Sequence, residues 1–148
     1  MKRIVVPIDF SQYAENAFKT AVKIASKGDA SITCVNVVYS ELEWDRMSQG
    51  DRGKHPELLD LAAEAEDKLK AFVQEHKAQD IPVEAITLVG LPAERIVELA
   101  KKQAADLIVI GAYGKGHESG KYIGGTIQRV LRHAHCPCPR CEKSDELK

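Results

Sequence analysis

Residues 107–131 read LIVIGAYGKGHESGKYIGGTIQRVL: four apolar residues, a run punctuated by glycine, then a helical pattern. A short apolar run closed by glycine reads as a buried strand, and Ile127, Val130 and Leu131 recur at helical spacing. The glycines therefore stand between a strand and a helix. A helix N-terminus offers unpaired N–H groups and the positive end of the helix dipole, and glycines let an anion approach them, so phosphate is the natural guest. The competing reading is a long plain connection.

Working outward, the rest of the chain repeats the same alternation. Lys2 through Ile8 is a β-branched run, and Asp9 emerges at its carboxyl end, where parallel α/β sheets bind ligands and where aspartate also serves as a turn or cap residue. Ser11 can cap a helix running to about Ser26, with Ala14, Ala17, Phe18, Ala21, Val22 and Ala25 on one stripe. Ser31 through Val38 reads as a second strand. Residues 39–56 are polar, with Gly50, Gly53, Pro56 and the single tryptophan, Trp44. They read as a flexible connection, with a lid over a ligand as the alternative. Leu58, Leu61, Ala62, Ala65, Leu69, Phe72 and Val73 then mark a long helix, Ile81 through Val89 a third strand, and Pro92 the start of another helix. Strands alternating with helices imply one parallel sheet covered on both faces.

The glycine run fits neither the Walker loop nor the dinucleotide fingerprint, because Gly114, Gly116 and Gly120 give G-x-G-x-x-x-G, one residue too long. It does fit G-x-x-G, nine residues, then G, through Gly111, Gly114 and Gly124. Here the sequence resembles the universal stress protein family. VPIDFS resembles that family's opening strand with its ligand-binding aspartate, VNVV its second strand, and GLPAERIVELAKKQAADLIVIG its third helix and fourth strand. The resemblance covers nearly the whole chain as one domain, residues 1–148, and implies a doubly wound five-stranded parallel sheet of order 3-2-1-4-5, the last strand open to truncation.

It also implies an adenine nucleotide (ATP, ADP or AMP, with Mg²⁺ as an accessory) bound in a regulatory rather than catalytic role. Asp9 would meet the ribose or adenine, Val37 the adenine, and Ile110, Gly111, Gly114, Gly124 and Gly125 would wrap the phosphates. Pro7, Ile8, Lys115, Gly116 and Thr126 would complete the nucleotide-binding set. At Gly125 the ATP-binding pattern prefers Ser or Thr, so a hydrogen bond to a charged group, worth roughly 1.5 to 3 kcal/mol, is missing unless Thr126 supplies it. That departure keeps a second reading open, a dimeric interaction protein of the same fold that binds no nucleotide. No Ser/His/Asp or Cys/His set suggests catalysis beyond a slow ATPase.

Composition sets bounds without choosing between these readings. A chain of 148 residues, 44% hydrophobic and 29% charged, is the size and balance of one globular domain. A net charge of -1 gives no long-range pull toward nucleic acid, despite a local basic patch at Lys121, Arg129 and Arg132. MKRIVVPIDF is too short an apolar run for a signal peptide and nothing is long enough to span a membrane, so the expected location is the cytoplasm, with reduced thiols. The tail HAHCPCPRCEKSDELK gathers His133, His135, Cys136, Cys138 and Cys141, side chains that zinc or copper accepts, but C-x-C-x-x-C lacks the usual paired spacing. In the resembling family this region continues as an apolar last strand that helps pair two subunits. Pro139 and Arg140 interrupt it here, so residues 136–148 are expected to be irregular and the homodimer less firmly specified.

Overall fold

The computed structural model describes residues 2–113 and 125–141. Its elements follow in order: β1 (Lys2–Pro7), α1 (Gln12–Ser26), β2 (Ala30–Tyr39), a 3-10 turn (Trp44–Arg46), α2 (Gln49–Arg52), α3 (Pro56–His76), β3 (Val83–Gly90), α4 (Pro92–Lys102), β4 (Leu107–Ile108), β5 (Ile110–Gly111), α5 (Gly125–His133) and β6 (Arg140–Cys141). Local chemistry sets several of these limits. The Ser11 side chain accepts from the Ala14 amide and starts α1, and Pro56 and Pro92 open α3 and α4, where a missing N–H costs nothing.

Four strands form one parallel sheet in the order β3-β2-β1-β4, with β1 central, Pro7 level with Val35 and Val5 level with Ile108. Each face of that sheet has its own apolar layer. On one face Ile4, Val6, Ile32 and Cys34 pack with Phe18 of α1 and Leu69 of α3; on the other Val5, Val35, Ile108 and Ile110 pack with Ile96 of α4 and Val130 of α5. The helices thus cover both faces, as the alternation requires.

The fifth strand differs from expectation. A separate two-stranded sheet, β5 with β6, pairs Ile110 with Arg140 and Gly111 with Cys141 in parallel. The amides of Ile108, Ile110 and Ala112 donate to the carbonyls of Pro137, Pro139 and Cys141 at 3.0, 3.1 and 2.7 Å. A parallel ladder also needs bonds returned from the other strand, and Pro139 has no N–H to return. Residues 137–139 therefore run beside the fourth strand without completing its ladder, and regular pairing starts only at Arg140. The cysteine-rich tail is thus not wholly irregular, because its described part supplies β6.

The connection from residue 39 to 56, read from sequence as flexible, contains the 3-10 turn and α2. Trp44 is only 7% exposed. The Arg52 guanidinium lies over the Trp44 ring, 4.9 Å from its centroid, and donates to the Trp44 carbonyl at 3.0 and 2.7 Å. Asp45 pairs with Arg95 of α4. Aromatic burial and these charged contacts give the segment tertiary partners that a polar, glycine-containing sequence does not advertise.

Candidate functional site

The carboxyl edge of the central strands assembles the candidate site. Because β1 is flanked by β2 and β4, and Pro7 is level with Val35, the exit of β1 at Ile8 and Asp9 lies beside Val37 on one side and the Ile110–Gly111 strand on the other. Two hydrogen bonds fix this exit. The Ile8 amide donates to the Val35 carbonyl at 2.7 Å, and Asn36 Nδ2 donates to the Ile8 carbonyl at 2.8 Å. Asn36 is a site residue that the sequence reading passed over, although a lone amide side chain within an otherwise apolar strand run was a visible signal.

Asp9 is half-buried, and its Oδ1 accepts from the Ser11 amide at 3.0 Å. The turn role of this aspartate is therefore realised, alongside whatever it offers a ligand. Phe10 adopts a left-handed φ of 66°, a conformation that is costly for a bulky residue and that clusters at ligand-binding turns. Tertiary contacts hold it there: the Phe72 ring meets Phe10 edge-on with centroids 6.2 Å apart, and Lys68 Nζ lies 4.5 Å from the Phe10 ring centre. Nothing in local sequence marked position 10 as strained.

Pro7, Ile8, Ile110 and Gly111 are buried, whereas Val37, Gly125 and Thr126 are half-buried. Gly111 has a duty the motif did not reveal. A Cβ placed on it would stand 2.9 Å from Tyr13 Cβ, 3.0 Å from the Tyr13 carbonyl carbon and 3.2 Å from its oxygen. Glycine at 111 is what lets the first turn of α1 close onto β5. At Gly125 the opposite holds, since an added Cβ meets no atom of the described residues within 4 Å. Gly125 opens α5, whose buried Ile127 and Val130 lie in the layer that also holds Ile108 and Ile110. Gly114, Lys115, Gly116, Gly124 and the other loop candidates, Lys121, His117 and Glu118, lie outside the described residues.

The tail residues weighed as metal ligands are not brought together. Cys141 packs in the α1 and α3 layer, Cys136 and Cys138 pack against the α4 and α5 layer, and His133 is exposed. A ring nitrogen of His135 is 3.1 Å from the Ala105 carbonyl. Among the described residues no three His, Cys, Asp or Glu side chains gather to hold a metal ion. The thiols are also held in their neutral form. Burial pushes Cys138 up to about 11 and Cys34 up to about 12, and raises Cys136 and Cys141 as well. No described helix is long and apolar enough to cross a membrane.

Comparison with known proteins agrees with this architecture. The model of the Universal stress protein family matches residues 1–138. A universal stress protein of Methanocaldococcus jannaschii is 34% identical over 136 residues, which span 92% of this chain and 79% of that protein. The solved structure of universal stress protein UspA from Lactobacillus plantarum is 30% identical, covers 95% of this chain and 97% of its own, and superposes with a TM-score of 0.77. A universal stress protein from Archaeoglobus fulgidus, solved in complex with dAMP, shares the fold at a TM-score of 0.67 and 22% identity, over 95% of this chain and 98% of that one.

Proposed function

This chain belongs to the universal stress protein family, and from that premise we propose that it binds an adenine nucleotide (ATP, ADP or AMP) at the carboxyl edge of its sheet, as a regulatory homodimer of the cytoplasm rather than a catalyst. The observation that carries the reading is the exit of β1 at Asp9 between β2, which carries Val37, and β4, which leads into Ile110 and Gly111. Such an edge binds by backbone donation and dipole, which suits a phosphate and asks for no catalytic base. The A. fulgidus relative in complex with dAMP supports the choice of an adenine nucleotide.

Mg²⁺ is the less natural part of the site. Thr126 carries the only hydroxyl in the first turn of α5, and Gly125 offers none, so an accessory ion would depend mainly on the phosphates that bring it. The same absence of a hydroxyl at position 125, with Gly111 committed to packing on Tyr13, favours the second reading, a dimeric interaction protein that keeps the loop without nucleotide.

Calorimetric titration with ATP, ADP and AMP, together with mass spectrometry of the purified protein for retained nucleotide, separates the two. The informative variant is Asp9→Asn, because asparagine keeps the Oδ1 acceptor for the Ser11 amide while losing the charge. Nucleotide binding that falls at least tenfold in this variant, at unchanged melting temperature, is the expected result. No heat with any of the three nucleotides and none retained on purification overturns the proposal in favour of the interaction protein.

A further inference from the structure

The segment after β2 encloses a second concavity, at the carboxyl ends of β2 and β3. Residues 40–46 and the junction of β3 with α4 surround a cavity of about 170 Å³, with Trp44 on its wall. That space is of the order of five or six water molecules. Gly90, at φ +150°, makes room there for Arg95, since a Cβ would stand 2.9 Å from the Arg95 Cδ. Three of the few large apolar side chains left exposed lie on or just outside the rim: Leu42 at 39%, Leu91 at 40% and Tyr39 at 60%.

Five carboxylates line the cavity against two guanidiniums, on a chain whose whole net charge is -1. Both guanidiniums are already matched. Arg46 lies 3.5 Å from Glu43, and Arg95 pairs with Asp45 and Glu98 together. Burial lowers the Arg95 pKa, but the hydrogen bond and charge of Asp45, followed by those of Glu98, raise it on balance, so this cation stays committed. Glu41 accepts from the neutral Tyr39 hydroxyl at 2.8 Å, and among the described residues neither Glu41 nor Glu94 has an ion pair.

We propose that this surface docks a segment of a partner protein that presents a lysine or arginine flanked by aliphatic residues. The excess carboxylates select a cation, and an anion would have to break the Asp45 or Glu98 contact to reach Arg95. The cavity accepts one basic side chain beside Trp44, and the apolar rim at Tyr39, Leu42 and Leu91 reaches beyond the footprint of a free amine. This assignment stands apart from the nucleotide reading, because none of its residues belongs to that site.

Trp44 is the only tryptophan, so its emission reports the cavity directly. A short synthetic peptide alternating leucine with arginine is titrated against the full chain, beside the same peptide with glutamate in place of arginine. The expected result is saturable, salt-sensitive quenching with the arginine peptide alone. Binding should weaken more than tenfold in Glu41→Lys/Glu94→Lys, with the glutamate peptide gaining affinity on that variant, and should weaken in Leu42→Ser, an exposed change that spares the fold. No change in emission up to millimolar peptide, or equal change with both peptides, overturns the proposal. Agmatine binding as tightly as the peptide would reassign the cavity to small amines. Self-association in sedimentation that the double variant abolishes would reassign the face to a second copy.

Discussion

Gly111→Ala distinguishes packing from ligand binding at the first glycine of the motif. Gly90 is the only described glycine with a positive φ, so the backbone at 111 does not itself demand glycine. On conformation alone, alanine would stabilise the fold by roughly 0.4 to 1 kcal/mol by restricting the unfolded chain. The contact opposes this. A Cβ at 2.9 to 3.2 Å from Tyr13 meets backbone atoms as well as Cβ, and these cannot yield unless α1 moves away from β5. Tyr13 also holds Tyr113 edge-on with ring centroids 5.3 Å apart, so displacing the turn disturbs a second contact. Overpacking of this kind costs about 1 to 3 kcal/mol, which exceeds the entropic gain. Urea unfolding of nucleotide-free protein, followed by far-ultraviolet circular dichroism, should therefore show a lower midpoint at unchanged slope, and a Tm lower by about 2 to 8 °C for a domain of this size. An unchanged midpoint with weakened nucleotide binding would refute the reasoning, because glycine would then be serving the ligand and not α1.

Gly125→Ser restores a hydroxyl where an added Cβ meets no described atom, so stability should hold or rise slightly on helix propensity, while ATP affinity rises roughly 10- to 150-fold over the parent. Titration calorimetry against ATP and AMP checks this, and equal gains for both nucleotides would deny a contact to the terminal phosphate. Cys34 predicts alkaline lability with a definite sign. Its thiol stays neutral in the fold up to about 12 whereas the unfolded chain ionises near pH 9, so its contribution is complete below pH 9 and is lost as pH rises toward 12, at up to about 1.4 kcal/mol per pH unit. Chemical unfolding at pH 8, 9, 10 and 11 should show a shallower decline for Cys34→Ala than for the parent, and parallel declines would refute the assignment.

The parts of this fold that sequence revealed are those coded by period. The stripe of Ala14, Ala17, Phe18, Ala21 and Ala25 repeats every three to four residues and lies buried against the sheet, and the apolar runs form β1, β2 and β3. The edge carrying Asp9 followed from these, since strand ends are legible where the apolar run stops. What stayed hidden depends on a partner distant in sequence. Phe10 at φ 66° is held by Phe72 and Lys68 of α3, Trp44 is buried through Arg52 and the β3–α4 junction, and Gly111 is fixed by Tyr13.

Pro139 shows the same limit from the other direction, because its local meaning was legible and the extent of its consequence was not. Proline is excluded from strands that must donate on both sides, and the sequence alone left the last strand interrupted and open to truncation. Position 139 instead accepts through its carbonyl from Ile110 and withholds only the return bond, so pairing is delayed to Arg140 rather than abolished. Whether a missing donor destroys a strand or merely shortens it depends on which neighbour needed that donor. That neighbour, Ile108, lies about thirty residues away across a helical crossover. The tail is therefore an edge that carries half a ladder, and the same geometry carries Cys141 to the α1 layer and leaves Cys136 and Cys138 against α4 and α5, which separates the thiols whose proximity in sequence had suggested a metal.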